Sequence, residues 1–142
     1  MADTDTESAL PQGTLMQGKR GLIMGVANNR SIAWAIARAV AAQGGELAFT
    51  YMGEALEKRV RPLAASVGSD ILIPCDVGDD AAIDAAFETL KAKWGKIDFL
   101  VHAIGFADKN FLRGRYVDTP RAVFQQALDI SACLLYTSPS PR

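Results

Sequence analysis

Histidine occurs once in this sequence, at His102, and cysteine twice, at Cys75 and Cys133. Residues so few and so far apart match no metal-ligand spacing and argue against a disulfide framework, which leaves a reducing compartment as the default. Neither sign of charge dominates. Fifteen basic against sixteen acidic side chains give a net charge of −1, so no electrostatic footprint for nucleic acid or a membrane surface is present. No apolar run approaches membrane-spanning length. The opening residues, MADTDTESALPQG, lack the basic and apolar regions of a secretory signal. What is there is a globular balance: 142 residues, 49% hydrophobic and 22% charged, enough for one domain with a real core. A cytoplasmic protein is the plain expectation.

Regular patterning begins at Arg20. Residues 1–17, polar and containing Pro11 and Gly13, read as a mobile tail. RGLIM is apolar almost throughout, as strands covered on both faces are. Ser31 is placed to cap the following helix, whose apolar face is predicted at Ile32, Ile36 and Val40, and Gly44 and Gly45 stop it. ELAFTY, Glu46 to Tyr51, is a second strand. Leu56, Val60, Leu63 and Val67 mark a second amphipathic helix, which Pro62 is expected to kink. A third strand is predicted over Asp70 to Val77, weakened by Pro74. Asp79 and Asp80 then open a helix with Ile83, Phe87, Leu90 and Trp94 on one face, ended by Gly95. IDFLVHAIG is the fourth strand. Pro120 starts a fourth helix through Val123, Ala127 and Ile130.

The order βαβαβαβ predicts an α/β fold with a doubly wound, Rossmann-like parallel sheet, truncated after about four strands. Residues 18–131 read as the N-terminal part of a dinucleotide-binding domain. The proline- and serine-rich end, residues 132–142, reads as foreign to the fold.

Glycine is scarce where a nucleotide-binding fold usually spends it. In GVANNRSIAWAIA the first strand-to-helix turn has Gly25 alone, with Ser31 and Ala33 where later glycines are expected. Such a turn cradles a diphosphate with free backbone N–H groups and the helix dipole, and needs small residues for close approach. A serine also offers a hydroxyl to phosphate. Small residues at a turn can equally make only a turn.

GVANNRSIAWAIA, ELAFTY, CDV, HAIGFA and GRYVDT stand in an order and spacing that resemble the bacterial NADH-dependent enoyl-acyl-carrier-protein reductases of the FabI type, a divergent branch of the short-chain dehydrogenase/reductase superfamily. The likeness runs from about Gly18 to Ser131, and its most specific part is the Gly-x5-Ser-x-Ala loop. The resemblance implies reduction of an acyl-carrier-protein-linked trans-2-enoyl substrate with NADH in fatty acid biosynthesis, by a homotetramer. It implies that Gly25, Ser31 and Ile32 bind the pyrophosphate and nicotinamide side of NADH. Asp76 would accept from the adenine amino group, with Val77 on the ring; Asp76 otherwise reads as a strand-end turn residue. Ile104 and Gly105, after Ala103, would lie under the cofactor, and Phe106 and Ala107 would border the acyl-thioester pocket. Met52 departs from the family, where a glutamine often meets the adenosine ribose, and leaves the choice between NADH and NADPH less defined than dinucleotide binding itself.

The family's catalytic tyrosine is followed at a short, fixed distance by a lysine. Here Tyr116 is followed by Arg121, Tyr136 by no lysine, and the last lysine in the sequence is Lys109. No catalytic residue is therefore assigned, and this chain alone is expected to be inactive. His102, mid-strand, reads as a packed, hydrogen-bonded residue and Cys75 as a small buried one. Arg113 and Arg115 fit either steering of an acidic carrier protein or a solvated loop. Two rivals stand beside the enoyl reductase: another short-chain dehydrogenase, disfavoured because HAIG replaces the usual NNAG, and a non-catalytic nucleotide-binding module.

Overall fold

The computed structural model describes residues 9–133. Four parallel strands, β1 (Arg20–Met24), β2 (Glu46–Tyr51), β3 (Leu72–Pro74) and β4 (Phe99–His102), form one sheet in the order β3-β2-β1-β4. Three helices make the crossovers: α1 (Ile32–Ala42), α2 (Gly53–Ser66) and α3 (Asp80–Trp94). After β4 come two short 3₁₀ turns, α4 (Arg121–Leu128) and a π-helical turn at Asp129–Cys133. No helix among the described residues is long and apolar enough to cross a membrane.

The strands are apolar on both faces because both faces are covered. Leu22, Met24 and Ala48 pack on one side with Ile83, Ala86 and Leu90 of α3. Ile23, Leu47 and Phe49 pack on the other with Ala33, Trp34 and Ala37 of α1 and Val60 and Ala64 of α2. Alternate residues of one strand thus serve two cores. Gly21 fits the β1–β4 pairing closely, since a Cβ there would lie 2.0 Å from the Phe99 ring.

Four expectations need correction. The inward face of α1 is Ala33, Trp34 and Ala37, whereas Ile32 is 76% exposed. The inward face is turned from the predicted stripe, so the first-turn isoleucine is left outside while Val40 still packs on the core. Residues 11–17 are tied down: Gly13 and Met16 donate backbone N–H groups to the Ala42 and Gln43 carbonyls, each at 2.9 Å, and the Gln43 amide donates to the Pro11 carbonyl. They satisfy carbonyls that the end of α1 would otherwise leave open. Strand β3 is shorter than Asp70–Val77, because the Asp76 carboxylate accepts from the Gly78 amide at 2.9 Å and turns the chain away. Strand β4 likewise ends at His102, after which the Ala103 amide makes a last bond to Met24 at 3.1 Å.

Helix α2 runs through Pro62. Pro62 and Lys58, whose carbonyl loses its usual donor, both lie on the exposed face, where water replaces the missing bond. The expected tail at 132–142 lies, from residue 134 onward, outside the described residues.

Asp98 fastens the start of β4. Its carboxylate accepts from the Arg20 backbone N–H at 2.9 Å and faces Lys19 and Lys96 at 3.8 and 3.9 Å. The Arg20 N–H first, and then those cations, hold its carboxyl below the usual aspartate value. A depressed folded value stabilises above the unfolded value and is lost as pH falls through the folded one. Unfolding midpoints of the wild type and Asp98→Asn should therefore differ by a constant amount above about pH 5 and draw together progressively as pH falls past the ordinary aspartate value toward the depressed folded one. A difference that persists unchanged at lower pH would remove this electrostatic account.

Candidate functional site

A cleft of about 520 Å³ opens beyond the carboxyl ends of all four strands. It is lined from β1 by Gly25 and Val26, from β2 by Tyr51 and Met52, from β3 by Asp76 and Val77, and from β4 by Ile104 to Phe106. The chain leaves β1 toward β2 on one side, while β4 lies on the other. That reversal is the place where doubly wound sheets bind ligands.

Gly25 makes the first turn possible for two reasons. Its φ is +102°, and a Cβ there would meet the Ala103 carbonyl oxygen at 2.2 Å. Ser31 holds the N-cap position of α1, yet its hydroxyl makes no capping bond. It turns back instead and accepts from the Ala27 and Asn28 amides at 3.0 and 3.1 Å. The expected cap is thus a loop clasp. With its oxygen taken, the Ser31 hydroxyl still has its proton to give. The Ile32 and Ala33 amides, at the head of α1, have no acceptor among the described residues. Free amides, a positive helix end and a hydroxyl proton together form a receptor for an anion. They stand beside the cleft: Gly25 lines it, whereas Ser31 and Ile32 do not.

On the β2–β3 side, Met52 is 57% exposed at the cleft rim. Nearby cations are already engaged, Lys58 with Glu54 at 4.0 Å and Arg61 with Glu57. Burial first, and then the Glu57 carboxylate, push the Tyr51 phenol above its ordinary value, so it is a neutral donor at physiological pH. Asp76 uses one carboxylate oxygen in its turn, and Val77 is buried beside it. Asp76 thus fills the expected turn position and also lines the cleft. Burial, followed by Asp76 and Asp79, raises the Cys75 thiol, so this cleft-lining cysteine is protonated and unreactive.

On the β4 side, Ile104 packs on the α3 core and Gly105 faces open space, with no atom within 4 Å of where its Cβ would be. Phe106 lines the cleft at 42% exposure, but Ala107 does not. Two lining residues, Gln126 and Ile130, come from α4 and the turn after it. Sequence reading missed their part here, although their spacing of four along one helical face was available. His102 is not the hydrogen-bonded residue expected, for its Nε2 is buried without a partner among the described residues. Those residues hold no cluster of histidine, cysteine or carboxylate side chains fit for a metal.

The family model described as enoyl-(acyl carrier protein) reductase matches residues 25–137. This chain belongs to that family. The "Enoyl-[acyl-carrier-protein] reductase [NADH] 2" of Rhizobium meliloti is 61% identical over 128 residues, covering 90% of this chain and 47% of its own length. Among solved structures, the Anaplasma phagocytophilum reductase in complex with NAD superposes with a TM-score of 0.85 at 50% identity, over 89% of this chain and 49% of that one. The Bacillus cereus reductase, solved with NADP+ and an indole naphthyridinone, gives 0.84 at 46% identity, over 87% and 49%. The chain thus spans about half the length of the reductases it matches. The α/β, Rossmann-like reading of the sheet agrees with these structures.

Proposed function

We propose that residues 18–131 are the coenzyme-binding half of a cytoplasmic enoyl-acyl-carrier-protein reductase of fatty acid biosynthesis, working with NADH. The observation that carries this reading is the anion receptor at the head of α1, opening beside a cleft of dinucleotide dimensions at the switch point of the sheet. The residues fit the coenzyme. The Ile32 and Ala33 amides and the Ser31 hydroxyl face its diphosphate, the spare oxygen of Asp76 its adenine amino group, and Val77 the ring. Gly105 leaves the floor flat, and Phe106 walls the substrate side. When bound, NADH supplies a hydride for the β-carbon of a trans-2-enoyl thioester linked to acyl carrier protein.

This chain's own part is to bind, orient and exclude water. A tyrosine with a lysine at the family's spacing occurs only as Tyr51 and Lys58, which stand at the end of β2 and in α2, on the opposite side of β1 from Phe106, so no group of this chain is assigned to the enolate oxygen. Met52 brings no charge to the β2 end, and Lys58 and Arg61 are each neutralised by a carboxylate. The uncharged Met52, in place of an arginine for a 2′-phosphate, favours NADH over NADPH.

Calorimetric titration should show the chain binding NADH more tightly than NADPH, with no NADH oxidation on addition of crotonyl thioester. Met52→Arg, at an exposed position, should raise NADPH affinity roughly tenfold by placing a cation at the ribose. Absence of binding by either coenzyme would end the proposal.

A further inference from the structure

The segment between Ala103 and Asp108 belongs to no helix or strand. The last sheet bond is Ala103 N–H to the Met24 carbonyl, and local order resumes where Asp108 accepts from the Asn110 amide at 2.9 Å. Between them, Ile104, Gly105 and Phe106 form one wall of the cleft. A wall without ladder bonds, with open space around its glycine, has no fixed shape of its own.

Ser131 gives it one. Its Oγ accepts from the Phe106 N–H at 3.0 Å and donates to the Phe106 carbonyl at 3.3 Å. One hydroxyl satisfies both backbone groups of one residue across 25 positions of sequence. Among the described residues, these are the hydrogen bonds of the 104–107 segment. The clasp depends on how α4 ends, since its last turn widens into the π-helical stretch Asp129–Cys133 that carries Ser131. Such widened turns redirect a side chain and recur at functional sites. Ile130, immediately before, is packed on the α3 core and lines the cleft, so the hydroxyl sits on an anchored element.

We propose that Ser131 is a positioning residue that holds the Ile104–Phe106 wall in its coenzyme-accepting shape. This role rests on the coenzyme reading above. A wall already ordered in the free protein costs less to order on binding, and the saving appears as affinity.

The test compares the full chain with Ser131→Ala and Ser131→Thr, titrated calorimetrically with NAD+ and followed by amide hydrogen exchange without ligand. The clasp is solvent-exposed, so water replaces the lost hydroxyl and the unfolding midpoint of Ser131→Ala should stay near wild type. Its NAD+ affinity should fall roughly tenfold, and the Phe106 amide should lose protection while those of Ile23 and Phe49 keep theirs. Threonine, retaining the hydroxyl, should restore both. If wild type binds and Ser131→Ala binds equally well, the positioning role is overturned and the coenzyme reading stands. Loss of protection throughout the sheet in Ser131→Ala also overturns it, since the hydroxyl would then support the fold at large. A wild type that takes up no coenzyme overturns the coenzyme reading, and this inference with it.

Discussion

Gly25→Val should be the most damaging single change to this chain, costing roughly 4 kcal/mol of stability and abolishing coenzyme uptake. Two independent penalties meet at this residue. A φ of +102° is one that a β-branched residue rarely adopts. The added Cβ would also lie 2.2 Å from the Ala103 carbonyl oxygen and 2.6 Å from its carbon. That neighbour is backbone at the end of β4, so it cannot rotate away; β1 and β4 must separate where they bind each other and the ligand. Against a typical total of about 5–15 kcal/mol, such a loss is readily seen in urea unfolding. Gly105→Ala is the contrast. Open space surrounds its Cβ position, so it should fold within about 0.5 kcal/mol of wild type. Weakened NADH binding at unchanged stability would show that this second glycine is small for the ligand's sake. A Gly25→Val variant as stable as wild type would contradict the geometry of the turn.

Phe49→Ala should cost about 3–5 kcal/mol. Phe49 is completely buried in the middle of β2, paired with Ile23 of β1 and Leu72 of β3. It contributes to the core shared with α1 and α2, and its removal leaves a hole bordered by both crossovers. Helix α1 meets that core through Ala33, Trp34 and Ala37, and two of those three are too short to fill a void. Collapse around the site is therefore limited, which puts the expected cost toward the upper end of the range. Unfolding by urea, monitored by circular dichroism, measures it. A loss under about 1 kcal/mol would mean that the helices settle inward more freely than their close seating allows.

The architecture was legible wherever side chains repeat regularly. The stripes of α2 and α3 are where their spacing puts them: Val60, Ile83 and Leu90 are buried, and Leu63, Val67, Phe87 and Trp94 are half-buried. Apolar strands with both faces occupied announced a parallel sheet, and one follows. Helix α1 followed the same reasoning only in part, at Val40, because alanine has almost no pattern. Its buried face, Ala33, Trp34 and Ala37, is turned from the predicted stripe, which leaves Ile32 exposed while Val40 still packs on the core. Polar side chains were harder still. Ser31 sits at a cap position but serves the loop, a choice made by where the Ala27 and Asn28 amides point.

The candidate site was legible to the extent that it obeys the rule of strand ends. Gly25, Met52, Asp76, Val77, Ile104 and Gly105 follow their strands and line the cleft. Gln126, Ile130 and Ser131 reach the same region from α4 and the turn after it, through a crossing that no local spacing encodes. Ser131 became visible only once its partner, distant in sequence, was known.

The two margins of the sheet differ in character. Strand β3 is three residues long and finishes on a proline, which has no N–H to offer an incoming chain. Strand β4 has no such protection. Phe99, Leu100, Val101 and His102 are half-buried, and among the described residues β4 is paired with β1 alone. Among the described residues its other side stays unpaired, a ready template for an extended peptide. In a concentrated solution of this chain, stickiness is therefore a property of one margin, and a charged residue there would improve solubility where the same change at β3 would do little.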